Sequence, residues 1–378
     1  MEALAALADT NPFLRERVDC ERRALGEQFV ASQTVWHADA THDGLNPNTE
    51  LLVECATAHA ETLRERLASG GAGRAGKGDL KAYEQLCRFV LYMRNQDLFM
   101  ELIRSSEAGE RTTGRVAGFS RFRRDFDHLL AIEGVALPLE ISAGDLFVWG
   151  FQIRRAFHHT FHRIHGGSMP AAALRAQVWQ SIFTHDFARY RRALVHRMGD
   201  IPTLITGETG TGKELVARAI GASRFVPFDE KKVGFVDDFA AGFYAVNLSA
   251  LAPTLIEWEL FGHRRGAYTG ALEDRAGWLD QCRKLGTVFL DEIGELASEI
   301  QVKLLRVLQS RTFQRIGETE ERHFEGKIMA ATHRACPPRS KPVASAKTSS
   351  TGCAPMPCER RRCASRSPPR PTISRGCC

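Results

Sequence analysis

Three short runs hold the side chains whose types and spacing could do chemistry. In "IPTLITGETGTGKELVARAIG" (201–221), a short apolar strand leads into Gly207, Glu208, Thr209, Gly210, Thr211, Gly212 and Lys213, and an amphipathic helix follows. Backbone N–H groups of such a glycine turn and of the helix N-terminus face phosphates, and the lysine supplies a point charge to the outer ones. Position 214 is Glu where the general pattern has Ser or Thr to hold magnesium. In "GTVFLDEIGEL" (286–296) an apolar run ends in Asp291 and Glu292, which suits a parallel strand whose carboxyl end delivers acids to phosphates. Asp291 would hold Mg2+ through water, and Glu292 would activate the attacking water. In "FHHTFHRIH" (157–165), His158 and His162 stand four apart, enough for two metal ligands on one helical face. No acid or cysteine nearby in sequence completes a site, and Arg154, Arg155 and Arg163 repel cations. This run reads as a basic, solvated or interdomain helix.

The phosphate-loop spacing occurs a second time, in "GAGRAGKG" (71–78). There it follows the charged, helical "ETLRERLASG" and has no strand before it, so it reads as a flexible loop. Context, not spacing, separates the two copies.

The elements that must position these residues fall into three regions. Residues 1–165 look helical: "LKAYEQLCRFVLYMRNQDLFMELIR" places Leu86, Val90, Met93, Leu98 and Leu102 at three-to-four spacing, and "SAGD" (142–145) resembles a capping box. "GGSMP" (166–170) is a breaker cluster that separates this part from an α/β pattern running over 166–334. Residues 335–378 hold nine Lys or Arg against one Glu, eight of the 15 prolines and six of the ten cysteines. With only Val343, Met356 and Ile373 as larger apolar residues, this tail is expected to be disordered. Cys353, Cys358 and Cys363 recur every five residues there without an apolar scaffold, and no zinc site is expected.

The formal charge of +6 resides in that tail and leaves the first 334 residues at −2, so the body is not basic. Four scattered cysteines elsewhere read as reduced core residues. There is no uninterrupted apolar stretch of membrane-spanning length and the N-terminus is acidic, so the cytoplasm is the expected compartment.

Between the glycine turn and the acids lies "ELFGHRRGAYTGA" (259–271). It resembles the signature of sigma-54-dependent transcription activators, AAA+ ATPases whose surface loop, usually GAFTGA, engages the sigma-54 form of RNA polymerase. The likeness extends over roughly 200–334, through "GETGTGKE", "VNLSAL", "FLDEIGEL", "LASEIQVKLLRVLQSRTFQRIG" and "IMAATHR". "SRFVPFDEKKVGFVDDFAAGF", between Ala222 and Tyr244, is longer than the family pattern and reads as a surface insertion.

The resemblance implies an AAA+ P-loop NTPase core with a parallel sheet, ATP and Mg2+ as cofactors, ring-forming subunits, and the sigma-54 holoenzyme as partner. It makes Asn247 the residue that holds Glu292 until the nucleotide state changes, and puts Thr332 and His333 at the sensor of the γ-phosphate. Glu214 belongs to the family's version of the glycine turn. Gly266, Ala267, Tyr268, Thr269, Gly270 and Ala271 would touch sigma-54, with Tyr268 and Thr269 at the tip. The alternative is a nucleotide-binding remnant or interaction protein with little or no ATPase activity.

The family also implies arginine fingers in a "GxFREDLxxRL"-like run after the sensor strand, then a helical lid and usually a helix-turn-helix. The written sequence shows none of these, so this chain is expected to bind ATP–Mg, to turn it over poorly and not to bind DNA. Fingers are worth ~10³-fold or more in rate. The sharp change at Arg334 suggests an out-of-frame tail. Taking the third base of each codon of "VASAKTSSTGCAPM" (343–356) with the first two of the next permits G-F-R-E-D-F-F-Y-R-L-C-A-D, the missing finger run.

Overall fold

The computed structural model describes residues 2–31, 47–70, 75–110, 112–138, 141–184, 190–195, 197–199, 201–240, 242–333 and 372–375. The first half is helical: α1 (Glu2–Leu7), α2 (Arg15–Leu25), α3 (Pro47–Ala68), α4 (Lys77–Arg94), α5 (Gln96–Glu107), α6 (Phe119–Leu130), α7 (Ala143–Arg163) and α8 (Met169–Phe183). The periodic run around residues 80–104 is two helices, not one. Asn95 interrupts it and turns its side-chain N–H back to the Leu91 carbonyl at 2.8 Å. Helix α7 starts as its sequence suggests, with Ser142 Oγ accepting from the Asp145 N–H at 3.0 Å. The breaker cluster at 166–170 opens another helix instead of a strand, because Ser168 sits at the N-cap and Pro170 fits the first turn of α8.

The second half alternates strands and helices: β1 (Thr203–Thr206), α9 (Lys213–Gly221), β2 (Phe228–Asp229), β3 (Gly234–Phe235), β4 (Phe243–Asn247), α10 (Pro253–Phe261), β5 (Gly262–His263), β6 (Arg275–Ala276), α11 (Trp278–Gln281), β7 (Thr287–Asp291), α12 (Ser298–Ser310), β8 (Thr312–Phe313), β9 (Arg322–His323), β10 (Lys327–Thr332) and β11 (Thr372–Arg375). Strands β1, β10, β7 and β4 form a parallel sheet in that order, with Thr206 opposite Thr332 and Asn247 opposite Asp291. Parallel sheets are covered on both faces, and β7 and β10 read accordingly as apolar runs. Phe289, Met329 and Ala331 face α7, α8 and α9, whereas Val288, Leu290 and Ile328 face α10, α11 and α12. The protein is thus an α/β core of the phosphate-loop type joined to a helical N-terminal region.

One expectation needs correction. The segment between Ala222 and Tyr244 is not a surface insertion: Val226, Phe235 and Phe239 are buried in the core of the helical region. The Phe151 ring lies 4.7 Å from Phe235 and 4.9 Å from Phe239, and the Phe147 ring is 5.1 Å from Phe228. The reason is compositional. A short segment carrying Phe228, Phe235 and Phe239 cannot leave them in water when an aromatic helix face is within reach. Helix α7 also donates from Gln152 to the Ser223 carbonyl, and from the Arg155 guanidinium to the Arg224 and Phe239 carbonyls at 3.1 and 3.3 Å. Burial, with Arg224 nearby, lowers the Arg155 pKa to about 9.

The expectation of a disordered tail lies outside the described residues, except at β11. There Thr372–Arg375 runs antiparallel along β1, whose outer edge would otherwise present unpaired backbone groups. Of "GAGRAGKG", residues 71–74 lie outside the described residues, and Lys77 opens α4, which the helix α3 precedes in the chain.

Candidate nucleotide site

The parallel strands deliver their polar residues at one edge, outside their carboxyl ends, where open α/β sheets bind ligands. After β1 the chain turns through Gly210 (φ 79°) and Gly212 (φ 87°), left-handed conformations that glycine adopts without cost, and Lys213 then begins α9. The Gly207 N–H donates to the Thr332 carbonyl at 3.1 Å, which fastens the base of the turn to the end of β10.

Lys213 is buried. Its Nζ donates to the Gly207 and Glu208 carbonyls at 3.1 and 3.2 Å and lies 3.4 Å from Glu292 Oε1. Glu292 is also buried and takes left-handed backbone angles (φ 56°, ψ 48°), a strained conformation for a residue with a Cβ and one that clusters at functional sites. Its other oxygen accepts from the His333 N–H at 3.2 Å and lies 2.6 Å from His333 Nδ1, while Thr209 Oγ1 is 3.5 Å from Oε1. Burial works against the Glu292 carboxylate. The His333 ring and N–H, with the Lys213 ammonium, outweigh it and hold the group below its usual pKa. For Asp291 burial is the largest influence and pushes the carboxyl upward, with Lys213 partly offsetting it. A divalent cation would reverse that balance. The glycine turn, the lysine and the two acids are a donor set that fits a magnesium–nucleotide.

Thr209, Lys213, Asp291, Glu292, Thr332 and His333 are therefore gathered at one place. Three other expected residues stand differently. Asn247 ends β4 beside Asp291, but its side chain accepts from the Ser249 N–H and hydroxyl at 3.1 and 2.8 Å, and Glu292 is held by His333 and Lys213 in its stead. Glu214 faces outward and pairs with Arg218 at 2.7 Å. Tyr268 is not a free tip: its ring stacks on Trp258 at 3.9 Å with planes 4° apart, and His263 meets it edge-on at 5.1 Å. The loop Gly266–Ala271 is closed by the Gly266 N–H to the Ala271 carbonyl at 2.9 Å, leaving Thr269 and Gly270 exposed. Trp258 lies on α10, across the β5 turn, and no periodicity flagged it.

In the histidine run, α5 brings the acid that the local sequence lacks. Glu107 Oε1 stands 2.9 Å from His158 Nε2 and 3.9 Å from His159 Nδ1. Burial and the neighbouring Arg155 lower the His159 pKa to about 2, so that ring is neutral.

A glycine turn between a strand and a helix, facing paired acids at the end of a nearby parallel strand, defines an α/β core of the phosphate-loop class. Residues 184–341 match the Sigma-54 interaction domain. Over 171 residues the chain is 40% identical to a sigma54-dependent transcriptional regulator, SfnR of Pseudomonas fluorescens (strain Pf0-1), covering 43% of this chain and 42% of that one. It is 44% identical over 138 residues to the transcriptional regulatory protein GlrR of Escherichia coli (strain K12), covering 36% of this chain and 28% of that one. It is likewise 44% identical over 147 residues to the DNA-binding transcriptional regulator NtrC of Azospirillum brasilense, covering 38% and 27%. The chain thus spans less than half the length of these curated relatives. A crystal structure of NtrX from Brucella abortus in complex with ATP aligns over 52% of this chain and 37% of its own at 24% identity, with a TM-score of 0.32, too low to bear on the fold.

Proposed function

We propose that this chain is a sigma-54-dependent transcriptional regulator in which an ATPase domain (166–334) is governed by the helical region before it (1–165). One observation carries the nucleotide reading: Lys213 and Glu292, far apart in sequence, meet at 3.4 Å where two parallel strands end. Gly207–Lys213 would cradle the phosphates of ATP, Asp291 would hold Mg2+, which would neutralise phosphate charge, and Glu292 would orient and deprotonate the attacking water. Thr332 and His333 sense the γ-phosphate. Entry of a nucleotide gives Lys213 a phosphate partner, which frees Glu292 from its present ion pair. Asn247 is the alternative partner that Glu292 takes in another nucleotide state. Subunits assemble into a ring in the cytoplasm and press Gly266–Ala271 against sigma-54 to remodel the polymerase.

Retention of purified sigma-54 on the immobilised chain tests the partner. With ATPγS and Mg2+ present, the wild-type chain retains sigma-54. Thr269→Ala loses retention while still binding the nucleotide. Retention by this variant equal to wild type contradicts the assignment and favours a nucleotide-binding remnant.

A further inference from the structure

The helices of the first half line a partly open cavity of ≈ 480 Å³, within the range of pockets that hold small ligands, and nothing in the ATPase reading uses it. It lies among the α1–α2 connection and helices α2, α4, α7 and α8. Its walls are aromatic, with Tyr92, Trp149, Phe157 and Trp179 among them. The charges that reach it are unequally satisfied. Arg17 is paired with Glu21 at 2.7 Å, and Arg88 with Asp9 and Glu84 at 3.4 and 3.5 Å.

Arg154, on the α7 wall, has no carboxylate partner among the described residues. One of its guanidinium nitrogens donates to Gln96 Oε1 at 3.1 Å, the Tyr92 side chain is a second neighbour, and its carbon sits 5.8 Å from the Phe157 ring centre. Its Nε is buried and without a hydrogen-bond partner. A guanidinium presents five donors in a planar fork that matches a carboxylate, and a buried donor left unmade is costly.

We propose that this cavity is a binding site for a small aromatic carboxylate, whose ring lies between the aromatic walls and whose carboxylate takes the free donors of Arg154. The opposite edge of the same helix α7 grips the ATPase core through Gln152 and Arg155. The cavity thus stands one helix away from the helix that begins at Lys213.

Calorimetric titration of the full chain without nucleotide, using indole-3-acetate and indole-3-acetamide as probes, tests the proposal independently of the ATPase reading. The acid binds with a Kd of about 1 mM or lower, and the amide at least tenfold more weakly, as loss of a charged hydrogen-bond pair requires. Arg154→Met erases the preference. Met93→Trp, which fills the cavity from α4 and leaves Arg154 in place, abolishes binding of both probes and decides the matter if Arg154→Met does not fold. No binding of either probe up to 10 mM, equal binding of the two, or undiminished binding by Met93→Trp overturns the proposal.

Discussion

Replacing Phe235 by Ala asks whether the hairpin after α9 is a surface feature or the clamp between the two halves of the chain. The ring is 4% exposed and has aromatic centres at 4.7, 5.0 and 5.5 Å, from Phe151, Phe239 and Phe228. Those neighbours are anchored on α7 and on the hairpin itself, so the site cannot collapse easily. Deleting a buried phenyl ring then costs about 3–5 kcal/mol, a large fraction of the ~5–15 kcal/mol that folded proteins have. With a urea dependence of ~3 kcal/mol per molar, the unfolding midpoint falls by about 1–1.7 M. Urea unfolding followed by far-ultraviolet circular dichroism and by tryptophan fluorescence measures the shift. Both probes should move together, because the helical region and the phosphate-loop core share the α7 contacts. A shift corresponding to less than about 0.5 kcal/mol, the usual effect of a surface substitution, would refute the buried clamp.

Other predictions concern the loop, the tail and the reaction. Trp258→Ala removes the stack under Tyr268, worth about 0.5–1.5 kcal/mol, so amide exchange at 266–271 should quicken by about 2- to 12-fold; unchanged exchange would mean the stack does not hold the loop. Reading the nucleotide sequence around the Arg334 codon should reveal a second frame spelling the finger run and a helical lid, whereas an early stop in that frame ends the idea. In a chain whose residues after Arg334 are read from that frame, Glu292→Gln should keep ATP binding and lose turnover by ~10²–10⁴-fold, the range of a general base. Turnover within a few-fold of wild type would remove Glu292 from that role.

How much was legible in the sequence depends on how local each signal is. Lys213, Asp291 and Glu292 were readable because a glycine turn after a strand and an apolar run ending in acids each imply a strand end, and parallel strands bring their ends together. The outward turn of Asn247 was not readable: it rests on an Asx-type bond to Ser249, a choice between two local partners that the spacing leaves open. The docking of Phe228, Phe235 and Phe239 had a compositional sign, aromatic residues clustered within a short segment. Their partners Phe147 and Phe151 lie on a helix far upstream, which periodicity cannot pair with them. Glu107 was missed for the same reason, since α5 meets the histidines of α7 only in the folded chain. The strain at Glu292 has no sequence signature at all.

Titration of the chain with MgATPγS measures the central claim most directly. Wild-type chain and Lys77→Ala, whose lysine belongs to the glycine-rich run without a strand, should bind alike. Lys213→Ala should lose binding, because its ammonium is the buried cation of the turn. Equal binding by the two variants, or an equal loss in both, would contradict the account.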